Sequence, residues 1–170
     1  MSLYYKNIPG IIKFICVIDR FNKPVLFFNV CNEEMEFQFE LITFSSLDFL
    51  NENVVNLNKN NNNSNDNNNN NNNDYLGLLT PFYENEIDLG SYGFIGKNGI
   101  KICLIKELDN NNIENDKKIE NICKEIFNKF NKLLLNPFFD RNEFNNKESI
   151  QKEKFCNNIF ELISQEQIKN

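Results

Sequence analysis

The 170-residue chain contains no histidine and no tryptophan. The lack of histidine removes Ser-His-Asp and Cys-His catalysis, imidazole acid–base chemistry and every His-ligated metal site. Basic residues are in the minority: 18 Lys+Arg stand against 24 Asp+Glu, for a formal charge of −6. Phosphate backbones are held by clustered Lys and Arg, so the sequence predicts no nucleic-acid partner. No window reaches the ~20 uninterrupted apolar residues of a membrane span. The first residues, Met1-Ser2-Leu3-Tyr4-Tyr5-Lys6, resemble no signal peptide and lack the glycine for myristoylation, and Gln167-Ile168-Lys169-Asn170 is no prenylation box. Neither a direct membrane span nor a lipid anchor is expected.

Five cysteines, Cys16, Cys31, Cys103, Cys123 and Cys156, are odd in number and form no C-x-x-C. Free buried thiols of a reducing compartment are the expectation, with a Cys16–Cys31 bridge as the alternative. Gly77, Gly90, Gly93 and Gly99 do not make G-x-G-x-x-G, so no nucleotide loop is supported. Glu33-Glu34-x-Glu36 lacks the calcium-loop pattern. No metal and no cofactor are predicted.

What the chain does have is 41% apolar residues, 17 of them phenylalanine, enough for the core of one domain. Residues 58–74 are almost pure Asn and have nothing to bury, so they read as a disordered surface insertion between two elements. Ile11 to Asp19 and Val25 to Cys31 read as strands joined by a turn at Arg20–Pro24. Met35, Phe37, Phe39 and Leu41 alternate with polar residues at the period of a strand. From Phe44 the period becomes helical, with Phe44, Leu47, Leu50, Val54 and Leu57 on one stripe, which predicts a first helix over 43–57 with an uncertain start. Tyr75 to Phe82, Ile87 to Ile95 and Ile100 to Ile105 are three further strands. The last two are joined by Lys97-Asn98-Gly99, read as a type I′ turn. Ile119, Ile122, Ile126, Phe130 and Leu133 predict a second helix over 115–135, stopped by Asn136-Pro137. Ile150, Phe155, Ile159 and Leu162 predict a third over 147–166. The fold class is α+β: order β-β-α-β-β-β-α-α, a mixed five-stranded sheet covered by three helices.

This order resembles the longin-like fold of the sedlin family, and local stretches add to the likeness. Ser46-Leu47-Asp48-Phe49-Leu50-Asn51-Glu52 is similar to the family's Leu-Asp-x-x-x-Glu in the first helix. Asn136-Pro137-Phe138-Phe139 resembles its Asn-Pro-Phe-Tyr between the last two helices, with Phe139 for Tyr. Ile150, Phe155 and Ile159 follow its final-helix pattern, although Cys156 stands where Asp is usual. Tyr75-Leu76-Gly77-Leu78-Leu79 and Tyr92-Gly93-Phe94 resemble the subunit 2-like branch of the trafficking protein particle (TRAPP) complex. The resemblance implies a non-catalytic, cytoplasmic adaptor, peripheral at ER and Golgi membranes. Its partners would be core and large TRAPP subunits and, indirectly, a Rab-type GTPase. A small coat-adaptor subunit is the alternative.

The expected partner-binding residues are Leu47, Asp48, Phe49 and Glu52. Asp48 is placed at the edge of the helical stripe, and Phe49 projects off it as an aromatic anchor. Against this, Asp48 could be a solvated helix carboxylate, and Phe49 could pack on the N-terminal segment or the last helix. Asn136-Pro137-Phe138 also spells an endocytic Asn-Pro-Phe ligand. Its place between two amphipathic helices instead predicts a packed structural corner formed with Phe139.

Overall fold

The computed structural model describes residues 12–30, 35–61, 74–84, 87–108, 112–146 and 149–168. Residues 1–11, Cys31 and most of the Asn-rich run lie outside them, as does the alternative Cys16–Cys31 bridge. Nine elements follow in order. They are β1 (Ile12–Ile18), β2 (Pro24–Asn29), α1 (Glu36–Asn61), β3 (Tyr75–Glu84), β4 (Ile87–Ile95), β5 (Lys101–Glu107), α2 (Asn112–Leu134), α3 (Arg141–Asn145) and α4 (Ile150–Ile168).

The strands form one sheet in the order β2-β1-β5-β4-β3. Every pairing is antiparallel, so the sheet is not mixed as predicted. The crossover α1 leaves β2 at one edge and delivers β3 to the far edge, so the two strands it joins never become neighbours. The succession and the α+β class are those of a longin-like fold, with the five-residue α3 as an addition. The Asp140 carboxylate caps it by accepting from the N–H groups of Asn142 and Glu143.

Central β1 and β5 are buried on both faces, which is why their sequences are near-continuous apolar runs rather than alternating ones. Strand alternation then splits the core. Phe14, Cys16, Ile18, Leu89, Cys103 and Ile105 join Phe39 of α1 on one face. Ile15, Val17, Tyr92, Phe94, Ile102 and Leu104 meet Ile119, Ile122, Ile126 and Phe130 of α2 and Phe155, Ile159 and Ile163 of α4 on the other. The predicted inward face of α2 is buried as expected. On the last helix Ile150 is the exception: it is the first residue of the helix and is 64% exposed.

The β1–β2 and β4–β5 hairpins use one geometry. Asp19 N–H donates to Lys23 O (2.9 Å) and Asn22 N–H to Asp19 O (3.1 Å); Gly96 N–H donates to Ile100 O (2.8 Å) and Gly99 N–H to Gly96 O (2.9 Å). In each, the residue two places before the second strand has a positive φ, 64° at Asn22 and 81° at Gly99. Asn98 does not, so the β4–β5 connection is a three-residue turn ending in a left-handed residue and not the predicted type I′ turn. A β-carbon on Gly99 would stand 3.0 Å from Cβ of Arg20, so the two turns pack side by side.

Candidate functional site

The segment read as having a strand period is helical. α1 begins at Glu36 and runs 26 residues, into the first asparagines of the Asn-rich run. The inward face of α1 carries Phe39, Thr43, Ser46 and Leu50, all buried. Two of these are hydroxyl residues, and both return their O–H to the helix: Thr43 Oγ1 to Phe39 O and Ser46 Oγ to Ile42 O, each 2.8 Å. Ser46 Oγ also lies 2.8 Å from Ser91 Oγ of β4, whose hydroxyl is 3.3 Å from Thr80 O of β3. One turn on, Leu50 sits over Gly93; a β-carbon there would come within 2.7 Å of Leu50 Cδ2. Small residues on both partners thus bring α1 close to β4.

This seat leaves large apolar residues on the outside. Phe37 is 68% exposed, Leu41 51% and Phe44 47%. At 100° per residue they share one stripe, opposite Phe39, Ser46 and Leu50. Asp48 continues it by four residues and is exposed, as are Phe49 and Glu52 beside it. Phe44 therefore faces solvent and does not belong to the buried stripe on which the sequence places it. Leu47 is half-buried against the Phe14–Phe39 cluster, so of the four expected partner-binding residues it is the one turned inward. α4, a candidate cover for Phe49, packs on the opposite face of the sheet.

Three acids, Glu36, Glu40 and Glu52, flank the stripe and Asp48 ends it, and between 35 and 52 the helix has no Lys or Arg. Partial burial, then the charge of Glu36, pushes the Glu40 carboxyl above its ordinary value. The surface is an apolar ridge with an acidic rim. Phe37 and Leu41 were missed as surface residues because their two-residue spacing from Phe39 mimics a strand, and Phe44 because its helical spacing to Leu47 put it on the expected inner stripe. Their signal was the helical interval 37–41–44–48.

Beneath α1, Cys16 and Cys103 are paired across β1 and β5, and both are buried. Burial, followed by the neighbouring Cys103, pushes the Cys16 thiol well up. Cys103 is pushed up to about 12 by burial, against the opposing pull of hydrogen bonds with Thr43 and Ser46. Cys156 is likewise pushed up to about 12, chiefly by burial. These protonated thiols fill the core rather than act as nucleophiles. Among the described residues no group of three or more His, Cys, Asp or Glu is placed to hold a metal ion. No described helix is long and apolar enough to cross a membrane.

The corner after α2 divides its four residues. Phe139 is half-buried and packs against Phe144, ring centroids 5.4 Å apart. Asn136, Pro137 and Phe138 are all exposed. A cluster that the sequence did not disclose ties α3 to the β1–β2 turn. The buried Asp19 accepts through Oδ1 from the N–H groups of Phe21 and Lys23, both at 2.8 Å. Its Oδ2 lies 3.2 Å from Arg141 Nη2.

No individual curated protein matches the chain. The family model described as Sedlin matches residues 14–165, which span most of β1, all of β2 to β5 and nearly all of the helical structure. The chain therefore belongs to the sedlin family of TRAPP-type trafficking subunits.

Proposed function

We propose that the chain is a non-catalytic adaptor that joins larger subunits to the core of the TRAPP tethering and Rab nucleotide-exchange assembly. It works in ER–Golgi and intra-Golgi transport, at the cytoplasmic surface of those membranes. The outer face of α1 is its docking surface, with Phe37, Leu41 and Phe44 as the apolar centre and Asp48, Phe49 and Glu52 at its far end. Nucleotide exchange on the Rab-type GTPase is left to other subunits.

The observation that carries this reading is the inversion of α1. Its largest side chains on the outward stripe are apolar, while hydroxyl residues occupy part of its buried face. A helix that served only its own core would place them the other way. Contiguous exposed apolar surface of this kind marks interaction sites, and the acidic rim calls for a basic border on the partner.

Affinity purification with quantitative mass spectrometry, comparing wild type with Asp48→Tyr, tests the proposal. Asp48 is exposed, so the fold survives, and a large tether subunit is selectively lost. Recovery of clathrin-adaptor large chains, or of no tether subunit by the wild type, overturns it.

A further inference from the structure

The Asn136–Phe139 turn follows α2 and so lies on the α2/α4 side of the sheet, across the sheet from the outer stripe of α1. The adaptor reading makes no use of it. Phe138 is 84% exposed, more than any other large apolar side chain among the described residues. Leu135 and Ile150 are exposed on either side of it in the chain. The ring is nonetheless presented on a fixed backbone. Asn136 Oδ1 accepts from Phe138 N–H (3.0 Å), and Asn136 O accepts from Phe139 N–H (3.0 Å), so an Asx turn is nested inside a β-turn. Pro137 fixes φ at the first central position. Gln151 Nε2 of α4 donates to Phe138 O (3.3 Å), and Phe139 is held against Phe144.

We infer that Asn136-Pro137-Phe138 is a preformed recognition turn that inserts Phe138 into an apolar pocket of a folded partner domain, of the kind that endocytic adaptors use for Asn-Pro-Phe ligands. A single convex ring on a locked turn fits a concave pocket and not a flat sheet or helix face. Because the backbone is already ordered, docking costs little conformational entropy. Asn136 is exposed, so a partner's acceptor can reach its Nδ2 hydrogens. The exposed residues that follow, Asp140, Arg141 and Glu143, carry more negative than positive charge and so do not favour insertion into an anionic lipid surface.

The test uses the full chain, with an isolated Asn-Pro-Phe-binding domain from an endocytic adaptor as the probe, titrated by calorimetry. Saturable binding is expected. Phe138→Ala should weaken it at least about tenfold, as for an interface anchor, without lowering the melting temperature. Asn136→Ala, which releases the Asx turn, weakens it less. The full chain should bind more tightly than a linear peptide of residues 133–141. No saturable binding, or equal binding by Phe138→Ala, overturns the inference. So does a fall in melting temperature for Phe138→Ala, a self-association that this variant abolishes, or a phosphatidylserine-vesicle affinity that it abolishes. Because Asp48→Tyr lies across the sheet and leaves this turn intact, failure here is separable from failure of the adaptor reading.

Discussion

Leu41 and Leu50 are nine residues apart on one helix, which places them 180° apart around its axis. Truncating each to alanine should therefore produce opposite phenotypes. Leu50 is fully buried over Gly93. Leu50→Ala leaves a cavity between α1 and β4 and should cost about 3 kcal/mol of stability. For a domain of this size that is roughly 6–12 °C in melting temperature. Leu41 is half exposed, so Leu41→Ala should alter stability by less than about 0.5 kcal/mol. Its exposed half amounts to roughly 90 Å² of apolar surface, which at ~25 cal/mol per Å² contributes about 2 kcal/mol if an assembly partner covers it. That corresponds to about a 30-fold loss of affinity. Thermal melts read the first effect, and quantitative recovery of tether subunits reads the second. If Leu41→Ala lowers the melting temperature by as much as Leu50→Ala, or leaves recovery unchanged, the assignment of faces on α1 is wrong.

Two further outcomes concern the core. Cys103 and Cys156 have thiols raised to about 12 in the folded chain, against an ordinary value near 9.0. The unfolded chain sheds these protons first, so their contribution is present below about pH 9 and is lost as pH rises toward 12. The slope should be up to about 1.4 kcal/mol per pH unit per thiol. Urea unfolding at pH 7, 9 and 10 checks this; a Cys103→Ser/Cys156→Ser chain with the same slope would refute it. Asp19→Ala removes the acceptor of two turn N–H groups and the partner of Arg141. It should destabilise the fold by about 3 kcal/mol in urea titration, because the freed donors lose charge-assisted bonds.

The strands and the second and last helices were legible because their burial follows one simple period. In β1 and β5 both faces are covered, and a continuous apolar run says so directly. In α2 a single inward stripe recurs at helical spacing. α1 was misread for a definite reason. Phe39 points to the sheet while Phe37 and Leu41 point to solvent, and over seven residues that arrangement imitates strand alternation. The hydroxyls of Thr43 and Ser46, which look solvated in a sequence, find acceptors within their own helix and are buried. The same ambiguity hid the outer stripe and placed Phe44 on the inner one. At the α2 corner, sequence alone offered a packed turn or an exposed ligand, and adjacent residues took both roles.

The residues by themselves determined that no imidazole chemistry is possible, that the chain builds one α+β layer structure, and that Asp48 and Glu52 lie on the first helix. These follow from composition and from local spacing, which need no knowledge of distant neighbours. Only the tertiary structure decided which side of α1 meets water, that all strands run antiparallel, and that Phe138 stands free while Phe139 is packed. Those outcomes depend on what lies across the gap: Ser91 and Gly93 admit α1 closely on one face, and Phe144 supplies a wall for one ring of the corner and none for the other.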